Sequence, residues 1–183
     1  NDIGGGFGAR GEFYPEDFLI PFAARFCGRP VKWNEDRREH LMAMNHAREM
    51  YADLEIACAK DGAILGLRGA VEVDCGAYFR SNGLTPPRNV VQFTSGPYKI
   101  ENILIHSYAR VTNKTPCGTY RAPGRFEGSF FIERVIDIAA REMGLDPVEM
   151  RRRNLIPEAE MPYPLATMQH IDPYTDTECD SGD

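Results

Sequence analysis

Several common site signatures are missing from this sequence of 183 residues. It has no Cys-x-x-Cys pair, no His-Glu-x-x-His, no Walker A lysine followed by Ser or Thr, and no apolar run near the ~18 residues of a membrane helix. A zinc protease, a phosphate-loop nucleotide hydrolase and a membrane-spanning chain are therefore not indicated. No basic stripe is present, and a formal net charge of −6 argues against a general nucleic-acid surface.

The cysteines are also few, and their spacing suggests no pairing. Their number is odd and they lie far apart: Cys27, Cys58, Cys75, Cys117 and Cys179. Such a set is typical of neither a disulfide framework nor a zinc site, so the sequence favours a reducing, cytoplasmic setting. No residue is assigned as a metal ligand or as a catalytic group.

Two turns rich in glycine contain the most distinctive chemistry. Residues 4–10 read Gly-Gly-Gly-Phe-Gly-Ala-Arg, and residues 113–128 hold Arg121 and Arg125 in a turn before a strongly helical run. Glycine permits tight backbone with positive φ, and the free N–H groups of a following helix favour an anion. The alternative is an ordinary loop-to-helix junction with two solvated arginines, which composition alone favours. The first turn lacks Gly-x-Gly-x-x-Gly spacing, which argues against a Rossmann site.

Hydrophobic periodicity predicts helices over residues 15–26, 128–143 and 147–153, with Gly28 and Gly144 ending the first two. A β-hairpin is predicted around the turn at Asp61-Gly62, and a further strand leads into the second turn. The predicted strands are residues 50–59, 63–76 and 103–112. The remaining assignments are a short strand at 31–34, a helical turn or loop at 35–43, a loop at 81–87 and a strand or short helix at 90–93. This order predicts an α+β fold, an antiparallel β-sheet with packed helices.

Four motifs, taken in order, resemble a known family. They are GGGFGAR (residues 4–10), GRPVK with EDR (28–32 and 35–37), DCGAY (74–78) and TYRAPGR (119–125). The ordered set resembles the molybdopterin-binding large subunit of the xanthine dehydrogenase and aldehyde oxidase family. It is nearest the branch with the large chain of aerobic carbon monoxide dehydrogenase. Any one motif is unspecific, but the ordered set covers nearly the whole chain.

This resemblance implies a molybdenum hydroxylase that oxidises an aldehyde or an aromatic N-heterocycle with oxygen from water. It implies a molybdenum–molybdopterin cofactor, with the cytosine dinucleotide form as one option, and iron–sulfur clusters and FAD on partner domains or subunits. Residues 1–156 would form the first half of the cofactor-binding region. Residues 157–183 would be a loop-rich extension leading to the rest of the large subunit. A non-catalytic scaffold or assembly module that retains the fold is the alternative, and an unrelated anion-binding α+β domain is a third hypothesis.

The positions that match the family assign the site. Backbone N–H groups of the first turn would lie against the cofactor, with Arg121 and Ala122 beside it; that turn comprises Gly6, Phe7, Gly8, Ala9 and Arg10. Arg88, ten residues before Tyr98, falls near a substrate-binding arginine of some relatives, although an exposed arginine is an equal alternative. Gly11 replaces a substrate-facing glutamate of xanthine dehydrogenases, and Ala122 replaces the copper-bridging cysteine of carbon monoxide dehydrogenases. Purines and carbon monoxide are therefore disfavoured as substrates.

The family's general base has no match in this sequence. In the family it is a glutamate in the second half of the subunit, and Glu12, Glu35 and Glu127 lie near motifs only by position. Solvated or capping roles are expected for all three. We therefore expect a fragment that has no turnover by itself and binds cofactor weakly or not at all.

Overall fold

A computed structural model describes residues 4–165 and 178–179. Within these residues the helices are α1 Pro15–Cys27, α2 Arg37–Ala43, α3 Thr85–Gln92, α4 Arg125–Met143 and α5 Pro147–Asn154. The strands are β1 Glu49–Cys58, β2 Ile64–Asp74, β3 Ile103–Arg110, β4 Tyr163–Pro164 and β5 Glu178–Cys179. Single turns of 3₁₀ helix lie at Ala9–Gly11 and Glu158–Glu160. The α+β class predicted from the sequence is confirmed.

The main sheet has the order β1-β2-β3, and its strand directions are mixed. β1 and β2 form the predicted antiparallel hairpin, which Ala59 N–H closes by donating to the carbonyl of Ala63 at 2.8 Å. β3 instead pairs parallel to β2, with Gly69 beside Ile105. The expectation of an antiparallel sheet is corrected in this respect. Residues 75–102 form a crossover, which a parallel pair requires, and this crossover contains α3.

Helix α3 occupies residues that the sequence analysis divided between a loop and a short element. Pro86 and Pro87 lie in its first turn, where a backbone N–H has no intrahelical acceptor, so proline does not interrupt the helix. The predicted strand at 31–34 does not form, and α2 supplies the helical turn suggested nearby. α5 begins at Pro147 behind its Asp146 cap, whose carboxylate accepts from Glu149 N–H at 2.9 Å.

The core lies between the sheet and α3, α4 and α5. One cluster joins Leu67 of β2 with Ile132 and Ile136 of α4 and Met150 of α5. A second cluster joins Val71, Val73 and Cys75 with Val90 and Cys117. The core face of α4 contains Ile132, Ile136, Ala139 and Ala140, which are buried, whereas Ile138 is 39% exposed. Because this core fixes α3 and the start of α4, it also fixes the turn between β3 and α4.

The described part of the chain contains no helix long and apolar enough to cross a membrane. Of the predicted extension at residues 157–183, the structure gives residues 157–165 and a short pairing of β4 with β5. The rest of that prediction lies outside the described residues.

Candidate functional site

The fold brings the two glycine-rich turns into direct contact. Arg121 N–H donates to the carbonyl of Phe7 at 2.7 Å, and the Thr119 hydroxyl donates to the carbonyl of Gly8 at 2.9 Å. A Cβ at position 8 would lie 3.3 Å from the carbonyl carbon and oxygen of Thr119. A side chain there would press the turns apart, so the close approach requires glycine.

Each turn contains two consecutive residues with positive φ. The values are 51° at Phe7 and 85° at Gly8, and 22° at Arg121 and 51° at Ala122. Non-glycine residues in this conformation are strained by roughly 1–3 kcal/mol each and cluster at functional sites. Among the described residues, the N–H groups of Phe7, Gly8 and Ala122 have no acceptor. Successive N–H groups in such turns form concave anion sites, so the facing turns suit an anionic ligand.

A buried ion pair holds the second turn in its strained shape. The Arg48 side chain is fully buried, and its Nε and Nη2 donate to the carboxylate of Glu127. Its Nη1 donates to the carbonyl of Tyr120, and Nη2 lies 3.4 and 3.3 Å from the carbonyl oxygens of Arg121 and Ala122. The expectation of a solvated or capping Glu127 is wrong, because this residue at the start of α4 neutralises Arg48.

Arg48 was missed by the sequence analysis. Its guanidinium lies 4.4 Å from the centroid of the Phe126 ring, which completes its enclosure. The sequence gives little signal for it, since Arg48 and Glu127 are 79 positions apart. Only the pairing of the segment before β1 with the second turn brings them together; Gly118 N–H donates to the carbonyl of His46 at 3.3 Å there.

Tyr14 and Asn45 connect the two turns through a chain of hydrogen bonds. The Tyr14 hydroxyl contacts both the carbonyl of Ala9, at 2.9 Å, and Oδ1 of the fully buried Asn45. Asn45 Nδ2 in turn donates to the carbonyl of Thr119 at 2.8 Å. Burial raises the pKa of Tyr14, so its hydroxyl stays protonated as the donor. A Cβ at Gly118 would lie 2.8 Å from Asn45 Nδ2, so glycine is required here too.

The remaining carboxylates near the motifs are also less solvated than expected. Glu12 is 5% exposed; its Oε2 accepts from the Ser81 hydroxyl at 2.6 Å, and its Oε1 has no partner among the described residues. The expected solvated role is wrong for Glu12, which joins the first turn to the loop before α3. Glu35 is half-buried and lies 2.7 Å from Nδ1 of His40.

The predicted arginines occupy different places. Arg10 and Arg121 are exposed, and Arg10 lines an open cleft of about 730 Å³ together with Gly6, Phe7 and Tyr120. Arg88 is exposed on α3, where its Nε and Nη2 lie 3.1 Å from Asn89 Oδ1. The structure therefore brings the first turn together with Arg121 and Ala122, whereas Arg88 contacts none of them.

Arg88 is still connected to the second turn through its neighbour. Asn89 Nδ2 donates to the carbonyl of Pro123 at 2.9 Å. Gly124, which precedes α4, packs so closely on α3 that a Cβ would lie 2.4 Å from the carbonyl oxygen of Pro86. α3 is thus part of the support of the second turn.

Cys117 is a core residue that packs with Val71, Val73 and Cys75 just before the Arg121 turn. It is 2% exposed and its N–H donates to the carbonyl of Cys75 at 3.2 Å. Burial raises the pKa of Cys117 to about 12 and also raises that of Cys75. In residues 4–165, no three His, Cys, Asp or Glu side chains are grouped to hold a metal ion.

A mixed sheet under three helices, with two strained turns in contact through Arg121 and Phe7, defines an α+β domain whose turns suit an anionic ligand. Residues 1–155 match the family model described as the molybdopterin cofactor-binding domain. The chain belongs to this family, and the resemblance drawn from the four motifs is confirmed.

Two relatives and one solved structure show how much of such proteins the chain represents. It is 42% identical to the 6-hydroxypseudooxynicotine dehydrogenase complex subunit gamma of Paenarthrobacter nicotinovorans, over all of this chain and 22% of that protein. It is 38% identical to the carbon monoxide dehydrogenase large chain of Hydrogenophaga pseudoflava, over 88% of this chain and 20% of the relative. The quinoline 2-oxidoreductase of Pseudomonas putida 86 superposes with a TM-score of 0.84 at 35% identity, over 92% of this chain and 22% of that one. The chain thus spans about a fifth of the length of these proteins.

Proposed function

We propose that this chain is the first half of the cofactor-binding region of a molybdenum hydroxylase large subunit. The observation that carries the proposal is the contact between two strained turns whose N–H groups at Phe7, Gly8 and Ala122 have no acceptor in the described chain. Membership of the molybdopterin cofactor-binding family supports it. In this proposal residues 1–156 form the subdomain, and residues 157–183 lead to the remainder of the subunit.

The donor set fits a molybdenum–molybdopterin cofactor. Backbone N–H groups at Phe7, Gly8 and Ala122 would face its anionic oxygens, and Arg10 and Arg121 would neutralise phosphate charge. Gly6 and Ala9 complete the first turn, and a larger side chain at position 8 would press it away from Thr119 in the second turn. When bound, the cofactor supplies the redox chemistry that adds oxygen from water to a carbon centre. This chain's residues would bind and orient the cofactor. The same proposal includes the cytosine dinucleotide form of the cofactor, and iron–sulfur clusters and FAD on partner domains or subunits.

The proposed substrate is an aromatic N-heterocycle, with an aldehyde as the second choice. The names of two similar proteins support this order, since one acts on a nicotine derivative and one on quinoline. Arg88 is proposed to contact the substrate, because its exposed guanidinium lies on the helix that supports the second turn. Replacement of Arg88 by methionine should then raise KM more than it lowers kcat.

Turnover is proposed to require polypeptide beyond this fragment. Glu127 is neutralised by Arg48, and Glu12 is buried under the first turn, so neither is placed as a general base. One relative is named as a subunit of a complex, which supports iron–sulfur and flavin partners. The odd, widely spaced set of cysteines supports a cytoplasmic location.

Metal analysis by plasma mass spectrometry tests the proposal. The full-length parent purified with its partners should hold molybdenum near one per chain, and the isolated fragment should hold none. In the parent, Gly8→Val should lower the molybdenum content by about tenfold or more, because it adds a clash to a positive φ. Gly144→Val is the matched control, since φ there is 68° but a Cβ meets nothing within 4 Å.

The outcome against the proposal is equally clear. If the intact parent lacked molybdenum under conditions that load a control hydroxylase, the enzyme hypothesis would fall. The scaffold or assembly module would then be the better account.

A further inference from the structure

Helix α1 is well formed but has no buried residue. Pro15 begins it, the Asp17 carboxylate accepts from Tyr14 N–H at 2.9 Å, and Gly28 ends it in the left-handed conformation. A helix in a globular domain is normally stabilised by burying its apolar face rather than by propensity alone. The apolar face of α1 therefore lacks its partner among the described residues.

The exposed face is an aromatic stripe. Phe18, Phe22 and Phe26 follow one another at i, i+4, i+8 and are 68%, 66% and 84% exposed. Leu19 beside them is 60% exposed, and Phe13, which precedes the helix, is 58% exposed. The rings contact each other: Phe13 and Phe18 are 4.8 Å apart edge to face, and Phe22 and Phe26 stack at 6.4 Å between centroids.

The size of this stripe sets it apart from scattered surface residues. At roughly 150–250 Å² per aromatic side chain, the four phenylalanines and the smaller Leu19, all about two-thirds exposed, present on the order of 600 Å² of apolar surface. The largest apolar patch on a typical monomer is about 300–600 Å², and patches at or above that range mark interaction sites. The stripe is also bordered by charge, with Glu16 and Asp17 at one end and Arg25 and Arg29 at the other.

We propose that this stripe, formed by Phe13, Phe18, Leu19, Phe22 and Phe26, docks against another segment of the same large-subunit polypeptide. The covering surface would be apolar, with acidic groups opposite Arg25 and Arg29. The similar proteins are about five times as long as the matched region, so most of such a polypeptide lies outside this chain and can supply the covering segment. The inference goes beyond the proposed function and takes from it only the large subunit as the parent.

Docking at α1 would act on the first turn through Tyr14. Tyr14 is both the residue that caps α1 and the residue whose hydroxyl bonds the carbonyl of Ala9 in the first turn. The helix position is thereby tied to the turn that presents Phe7 and Gly8. The docked segment would fix the first turn through Tyr14 without contacting it.

Hydroxyl-radical footprinting with mass spectrometry tests the occupant. The full-length large subunit is labelled alone, together with its partner subunits, and at two concentrations, with the urea-unfolded subunit as reference. We expect Phe22 and Phe26 to be labelled about tenfold or more slowly than in the reference in every native preparation, as for side chains inside an interface.

Three results would overturn the proposal. Labelling at the unfolded rate would show an open face; protection lost on removing the partner subunits would assign the face to a partner; protection lost on dilution would assign it to a second copy. Because the readout needs neither molybdenum nor turnover, its failure is separate from failure of the proposed function.

A pair of variants in the full-length subunit sharpens the test. Phe22→Glu should raise labelling of Phe26 several-fold, whereas Phe22→Leu should leave it low, because leucine retains an apolar contact. Met42→Glu on α2 is the control, since Met42 is 71% exposed and lies outside the stripe. If Phe22→Glu does not fold, the wild-type footprint still decides.

Discussion

Replacing Arg48 should destabilise the chain far more than replacing an arginine on its surface. Arg48→Met removes the cation from an ion pair whose two side chains are 0% and 11% exposed. It leaves the Glu127 carboxylate without its partner and withdraws the donors from the carbonyls of Tyr120, Arg121 and Ala122. Breaking a buried pair from one side costs about 3–5 kcal/mol, because an uncompensated charge stays behind.

The surface pair Arg68–Glu55 provides the matched comparison. Its side chains are 72% and 64% exposed, so water and salt screen the attraction. Arg68→Met should therefore change the free energy of unfolding very little. The double variant Arg48→Met with Glu127→Gln should recover part of the loss, because it no longer buries a lone carboxylate.

Urea unfolding followed by far-ultraviolet circular dichroism measures these differences. We expect Arg48→Met to lower the urea midpoint several times as much as Arg68→Met does, and the double variant to fall between the two. Arg48→Lys should remain clearly destabilised, since an ammonium cannot span the carboxylate and three carbonyls as the guanidinium does. The reasoning is refuted if Arg48→Met and Arg68→Met unfold at the same urea concentration.

Further predictions concern glycine and cysteine. Gly124→Ala should lower the free energy of unfolding by about 2–4 kcal/mol, because the Cβ would meet a backbone oxygen at 2.4 Å and alanine would have to adopt φ of 74°. Gly144→Ala should lower it by only about 1 kcal/mol, because φ there is 68° but the Cβ meets no atom within 4 Å. Equal losses of stability in thermal melts would contradict this difference. Iodoacetamide should alkylate exposed Cys27 in the native chain at pH 8 and spare buried Cys75 and Cys117, as peptide mass spectrometry would reveal. Burial raises the pKa of Cys117 from its usual value of 9.0 in the unfolded chain to about 12 in the folded chain, so stability should fall as pH rises above about 9; a flat urea midpoint between pH 8 and pH 10 would disprove that contribution.

The parts of the fold that local sequence determines were predictable. Pro15, Gly28, Gly144 and the Asp146-Pro147 pair mark helix ends through backbone geometry that each residue carries by itself. The hairpin was predictable for the same reason, since apolar and polar residues alternate both before and after the turn at Asp61-Gly62. The direction of β3 was not, because parallel pairing depends on where a crossover of 28 residues, 75–102, returns to the sheet.

The candidate site divides in the same way. The motifs identified the turns that meet, but nothing local distinguishes Arg48 from a surface arginine or Glu127 from a helix-terminal carboxylate. They are buried because residues 79 positions apart contact each other, and a local sequence pattern does not predict such a long-range contact. The Arg88 assignment came only from the resemblance and stays a prediction.

The strained backbone at Arg121 and Ala122 and the buried arginine behind it belong together. Positive φ at two successive non-glycine residues persists only where surrounding contacts outweigh the strain of roughly 1–3 kcal/mol each. Arg48 supplies those contacts by bonding the carbonyls of this turn while Glu127 holds its charge in place. Arg121 in this turn donates its N–H to the carbonyl of Phe7 at 2.7 Å, so the conformation that Arg48 holds is also the one that contacts the first turn. The ion pair therefore stabilises the fold and also holds the second turn in the conformation that contacts the first turn.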